Sequence, residues 1–145
     1  MTIEVTILDA FKSRLETLTW PVTVAWEKIR LTVSDFAEHE IPVIQFYVQR
    51  IDSNHQVQTL ESTMSVVVEV VLRQSYEQAI DARDIWEKVN DVKNVIGTNA
   101  NLDVPGVFHC RMISRETDLY SIAPYYYGRL EFEVIFKEPY TRNCP

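Results

Sequence analysis

Ser65-Val66-Val67-Val68-Glu69-Val70-Val71-Leu72-Arg73 opens the stretch that decides the fold, and Gly128-Arg129-Leu130-Glu131-Phe132-Glu133-Val134-Ile135-Phe136-Lys137 closes it. Successive side chains of an extended chain point to opposite faces. In the closing run Leu130, Phe132, Val134 and Phe136 therefore point one way, while Arg129, Glu131, Glu133 and Lys137 point the other. That alternation predicts an antiparallel strand from Tyr126 to Lys137 with one solvated face. The opening run has Val66, Val68, Val70 and Leu72 on one face and Val67, Glu69 and Val71 on the other, so its second face reads as half-buried. Between the two runs the period changes. Ser75 and Gln78 have the spacing of a capping box. Ala79, Ala82, Ile85/Trp86, Val89, Val92 and Ile96 then form one stripe at helical spacing, with Gly97 placed as a C′ residue. A helix from Tyr76 to Ile96 is expected to cross the sheet through Ala82, Trp86, Val89 and Val92. A loop over residues 98–106, a strand from Val107 to Arg115 and a connection over residues 116–124 complete the stretch.

Working outward, Ile3, Ile7, Leu8, Phe11, Leu15 and Leu18 recur at steps of three and four, and Pro21 marks the end of that amphipathic helix. Val22, Val24 and Trp26 alternate as a strand does, after which the apolar phase slips to Ile29, Leu31 and Val33. Residues 34–40 are polar and acidic and read as a loop. Pro42 opens a strand through Ile51, with Ile44, Phe46 and Val48 on one face. Asp52-Ser53-Asn54-His55 is a turn signal, and a strand resumes from Thr59 to Arg73. The order is helix, three strands, helix, two strands. It predicts a single α+β domain over residues 1–145, with a mostly antiparallel sheet of about five strands and two helices packed on one face.

Composition narrows the function classes. At 145 residues, 46% hydrophobic and 24% charged, the chain is an ordinary globular domain with room for one core. Its three glycines argue against a glycine-rich phosphate cradle, and its net charge of −7 argues against a surface that neutralises nucleic-acid phosphates. No basic leader segment or long apolar run occurs, so the expectation is a cytoplasmic protein with no membrane partner. Cys110 lies in a strand and Cys144 is penultimate, which does not make a disulfide framework.

His39 between Glu38 and Glu40 lacks a second histidine at ligand spacing and reads as part of a solvated loop. His109 and Cys110 are neighbours on a strand and so face opposite sides; a core cysteine and a surface histidine are expected. Glu131 and Glu133 lie about 7 Å apart on one face, near a glycosidase spacing. Arg129 and Lys137 on the same face favour charge balance or a subunit interface instead. Ser75, Ser114 and Ser121 have no nucleophile elbow around them. Trp86 and Trp26 read as core-facing, and Trp20 as closing the first helix. Tyr125-Tyr126-Tyr127 admits alternate packing in core and rim, or a protein interface where tyrosine is enriched; base stacking on single strands is a third reading, disfavoured because 14 basic residues face 21 acidic ones. No catalytic centre, cofactor or metal is implied, and the expectation is not an enzyme.

Pro21-Val22-Thr23-Val24-Ala25-Trp26-Glu27-Lys28-Ile29 resembles a segment typical of tailed-bacteriophage tail terminator proteins. There a proline near the end of the first helix precedes a short strand reading roughly Val-Ala-Trp-Glu-Asn-Val. A long strand pair, a single long helix and a final strand follow, here looking like Pro42 to Arg50 with Val66 to Leu72, Tyr76 to Ile96, and Gly128 to Val134. Lys28 stands where the family has an amide, and residues 34–40 are acidic where it is rich in proline and glycine. The resemblance implies a virion structural protein of the tail or neck, assembled in the host cytoplasm. It implies a homo-oligomer, a hexameric ring that caps the tail tube, ends its polymerisation and meets the head-tail connector. Its partners would be further copies of itself, the tail tube protein and the connector. DNA would pass through the ring without sequence-specific binding. The alternative is another head-tail or tail-tube assembly protein, or a non-enzymatic protein-binding adaptor. Candidate interface residues are Arg50, Arg73, Tyr125, Tyr126, Tyr127, Arg129, Glu131 and Glu133.

Overall fold

A computed structural model describes residues 2–19, 23–25, 43–56, 59–73, 82–97, 101–118 and 125–139. Helix α1 (Ile3–Leu15) is followed by β1 (Thr23–Ala25), β2 (Val43–Gln56), β3 (Thr59–Arg73), helix α2 (Ala82–Ile96), β4 (Val107–Asp118) and β5 (Tyr125–Pro139). The sheet runs in the order β1-β2-β3-β5-β4. Strands β2, β3, β5 and β4 each run antiparallel to their neighbours in that order, and β1 is a short edge strand parallel to β2. The fold is α+β, as the element order predicted. β1 alone departs from antiparallel pairing, entering where Thr23 meets Val43 and Ala25 meets Gln45.

Both helices lie on one face of the sheet. Ile7, Phe11 and Leu15 of α1 and Ile85, Val89, Val92 and Ile96 of α2 join Phe46, Val68, Leu130, Phe132 and Phe136 in one buried core. Phe11 sits at its centre, stacked on Phe46 at 6.2 Å and edge-on to Phe132 at 5.7 Å, geometries that suit the aromatic quadrupole. α1 starts cleanly because the Thr2 hydroxyl accepts from the Val5 amide, satisfying one of the orphan donors of a helix start. It stops at Leu15, one turn short of the expected Leu18, and Leu18 still packs against the core from beyond the helix.

Arg14 ties the two helices together. Its guanidinium donates to the Ile96 carbonyl at 3.1 Å and to Asp103 at 3.3 Å, so a cation caps the negative end of α2. Gly97 is not in the left-handed conformation associated with a C′ glycine. The chain turns instead at Leu102 and Asp103, both with φ of 55°, and at Gly106 with φ of 92°. The Asn101 carboxamide accepts from the Asp103 amide at 3.0 Å and holds that turn.

Three expectations need correction. The turn signal at Asp52-Ser53-Asn54-His55 is not a turn: β2 runs on to Gln56, with Asp52 opposite Thr63 and Ser53 opposite Ser62. Pairing with β3, which is itself held by β5 along its whole length, outweighs the local preference of those residues. A bulge at Gln49 absorbs the change of phase. Trp86 is not a core residue. It is 38% exposed, and Ile85 takes the inward position beside Val89. The last two strands are also longer than predicted, reaching Asp118 and Pro139. The capping box and the first turns expected from Tyr76, the acidic residues 34–40, and Trp20 and Trp26 lie outside the described residues.

Gly128 sets the depth at which α2 docks. A Cβ there would lie 2.5 Å from Val89 Cγ2 and 3.5 Å from Ile85 Cδ1, so the helix rests on bare backbone. Gly128→Val is expected to lift α2 and cost about 1–3 kcal/mol through overpacking, read as a lowered melting temperature. Val89→Asp places a charge in the same seam and is expected to unfold the domain. An unchanged thermal transition in either variant would show that this seam is misdescribed.

Candidate functional site

The face of the sheet turned away from the helices carries the polar side chains. On it the register aligns Gln45, Glu69, Arg129 and Glu116 in one cross-strand row, and Tyr47, Val67, Glu131 and Ser114 in the next. Glu69 is the pivot. One carboxylate oxygen accepts from Gln45 Nε2 at 2.6 Å and the other from the Tyr47 hydroxyl at 2.8 Å. Tyr127, across β5, also hydrogen-bonds Glu69. A single carboxylate thus joins β2, β3 and β5 and compensates polar groups as buried as Gln45, which is 4% exposed. Val43, Val67 and Val71 on this face are buried as well.

The environment shifts both tyrosines. Burial and then the hydrogen bond and charge of Glu69 push the Tyr47 hydroxyl up to about 12. The same influences, burial first, push Tyr127 up further, with Arg129 opposing in both cases. Each keeps its proton and donates to Glu69.

Charges beyond this pivot are compensated within the subunit. Glu131 accepts from Ser65 at 2.7 Å and Ser114 at 3.4 Å, and lies 3.7 Å from Arg129. Arg129 also reaches Glu116 at 3.9 Å. Arg111 pairs with Glu133 at 3.4 Å and Lys137 with Glu61 at 3.9 Å. These pairs are partly exposed and individually weak, but together they leave the face with little uncompensated charge.

Of the sequence-predicted interface residues, Arg129, Glu131 and Glu133 share this face. Arg50 joins them through the row Arg50, Ser65, Glu133 and Arg111. Arg50 stands at its outer end, largely exposed, bonded to Asp52 at 2.9 Å. The tyrosines separate: Tyr127 belongs to the Glu69 network, whereas Tyr126 packs against the core on the helix side. The side chains of Tyr125 and Arg73 lie outside the described residues. Sequence reasoning missed Gln45 and Tyr47, which alternate with the core residues Ile44 and Phe46. The available signal was Glu69, a lone carboxylate in a valine strand that needs donors beside it.

Cys110 is buried on the helix face, and burial pushes its thiol up to about 12, far from a reactive thiolate. His109 stands on the opposite face of β4, as strand alternation predicted. His39 lies outside the described residues. Among the described residues no group of three or more histidine, cysteine and carboxylate side chains is placed to hold a metal. No described helix is long and apolar enough to cross a membrane. The large apolar side chains left exposed are Ile51 on β2, Trp86 on α2, and Phe108 and Ile113 on β4. The last two sit at register shifts of that edge strand, the kind of bulge that interrupts a pairing edge. No protein-family model matches the chain, and no curated protein matches it.

Removing the pivot tests the network. Glu69→Ala leaves donors from Gln45, Tyr47 and Tyr127 without their acceptor and is expected to cost about 1–3 kcal/mol, read in a denaturant melt. The tyrosines add a pH dependence. Their hydroxyls hold protons more tightly folded than unfolded, so the stabilisation is complete below the ordinary tyrosine pKa of about 10 and declines as pH rises through about 12 for Tyr47. Absorbance at 295 nm should show Tyr47 ionising late, together with unfolding. Ionisation near 10 in the folded protein would contradict the network.

Proposed function

We propose that this chain is the tail terminator of a tailed bacteriophage, a subunit of a ring that caps the tail tube, ends its polymerisation and joins the tail to the head connector. The observation that supports this reading best is the place of the short strand within the segment that carries the resemblance. The short strand Thr23–Ala25 follows α1 and takes the sheet edge beside the long β2–β3 hairpin, with one helix and then β4 and β5 after it. That is the order of elements that the family resemblance implies.

A closed ring built head to tail requires two different patches on each subunit. Exposed apolar side chains occur toward both sides of the sheet, Ile51 on the outer half of β2 and Phe108 and Ile113 on the edge strand β4. They suit the two halves of such a contact better than Glu131 and Glu133, whose carboxylates are engaged within the subunit. An acidic subunit also suits a passage for DNA, since a net charge of −7 offers the phosphates no net neutralisation.

Native mass is the primary test. The expected particle is about six times the 16.9 kDa subunit, ring-shaped by electron microscopy, and releases duplex DNA at moderate salt. Ile51→Asp and Phe108→Asp change exposed positions, so melting should move by less than about 0.5 kcal/mol, while each shifts the particle toward monomer. A monomer at high concentration would overturn the ring and favour a protein-binding adaptor. Tight DNA retention would also count against it.

A further inference from the structure

Helix α2 presents an aromatic side chain outward beside a cation from β4. The Trp86 ring lies under the Arg115 guanidinium, with 5.7 Å from its central carbon to the ring centroid. Asn90, one turn further along α2, accepts from Arg115 Nη1 at 2.6 Å. The guanidinium is therefore held by an aromatic face and a neutral amide, and no carboxylate among the described residues pairs with it. Arg14, Arg50, Arg111 and Arg129 each have such a carboxylate. In a chain with 21 acidic and 14 basic residues, a positioned and exposed guanidinium without one among the described residues stands out.

The surroundings extend the same chemistry. Arg83 lies one turn before Trp86 on the helix, exposed and likewise without an ion-pair partner among the described residues. Trp86 itself is 38% exposed, and its indole N–H makes no hydrogen bond to a described residue. Glu116, next to Arg115, is turned to the far face, where it meets Arg129. Glu87, next to Trp86, is exposed and sets a limit: a long polyanion would be repelled there, whereas one carboxylate could reach Arg115.

We propose that Trp86, Arg115, Asn90 and Arg83 form a docking site for an acidic peptide segment of another protein, a carboxylate beside an apolar side chain. The carboxylate takes the free edge of the Arg115 fork, a bidentate geometry that a guanidinium provides and an ammonium does not. The apolar side chain covers the exposed part of the indole, whose N–H donates to the peptide backbone. Tryptophan and arginine are the residues that most often carry binding energy at protein interfaces. Holding the guanidinium on the ring beforehand lowers the ordering cost of binding. The site shares strand β4 with the ring reading through Arg115 but uses neither Ile51, Phe108 nor Ile113, and its test does not depend on that reading.

Fluorescence anisotropy tests it on the 145-residue chain with three labelled probes: the hexapeptide Glu-Asp-Leu-Phe-Asp-Glu, its neutral counterpart Gln-Asn-Leu-Phe-Asn-Gln, and hexathymidylate. The acidic peptide should bind at least about tenfold more tightly than the neutral one, and weaken as salt is raised. Trp86→Ala and Arg115→Gln should each weaken it by at least about tenfold, with Arg115→Lys intermediate. Far-ultraviolet dichroism and melting confirm that each variant is folded, and Trp86→Phe serves as the second variant at that position, retaining part of the affinity. Equal binding of acidic and neutral peptides, wild-type affinity in the variants, or no binding of the acidic peptide at millimolar concentration would overturn the proposal. Tighter binding of hexathymidylate would overturn it in favour of a nucleic-acid surface.

Discussion

The pairing of β3 with β5, continuous from Thr59 opposite Pro139 to Arg73 opposite Tyr125, is the constraint on which the other contacts depend. These two strands form the centre of the sheet, and their period-two pattern assigns each face one environment. A slip of one residue would turn one strand over relative to the other, for β5 sending Leu130 and Phe132 to the charged side and Glu131 and Glu133 under the helices, so the register is strongly specified. Helices α1 and α2 can then bury their apolar stripes only against the face that carries the valines and phenylalanines. Phe11 and the Gly128–Val89 approach set how closely they do so.

The opposite face solves a different problem. Leaving it apolar would expose a broad patch to association, while filling it with unpaired charge would strain the sheet. The chain instead alternates carboxylates with hydroxyl, amide and guanidinium groups on neighbouring strands. Almost every carboxylate there meets a donor from the strand beside it. Glu69 is the most consequential of these because its donors come from β2 and β5 at once, so losing it would loosen both sides of the central strand. A face compensated in this way is poorly suited to serve as an adhesive surface. That is why exposed apolar groups at the sheet margins, and the Trp86–Arg115 pair on the helix side, carry the interaction proposals.

The described groups that could carry chemistry are each engaged or shielded by the fold. Cys110 is shielded and kept protonated, His109 is separated from it by the sheet, and the carboxylates that come within glycosidase spacing are held by serines and arginines. Stable assembly and partner capture make different demands. The first needs two complementary patches of large area, the second a small preformed anchor, and the two sets of exposed residues have no member in common.

Much of this architecture was legible in the sequence by itself. Alternation along Tyr126–Lys137 and Ser65–Arg73 determined two strands and both of their faces, because side-chain direction in an extended chain is a matter of parity. Helical spacing determined α1 and the buried stripe of α2. It did not distinguish Ile85 from Trp86, since adjacent positions on a helix differ by about 100° and either could start the stripe; the narrow gap over Gly128 admitted the isoleucine and turned the tryptophan out. The extension of β2 through Asp52-Ser53-Asn54 was likewise invisible locally, because those residues favour turns unless a neighbouring strand supplies their backbone partners. Tertiary structure alone brought Gln45, Tyr47 and Tyr127 to Glu69, and Asn90 and Arg115 to Trp86. Those contacts join residues distant in sequence, and only the strand order and the docking of α2 place them within hydrogen-bonding reach.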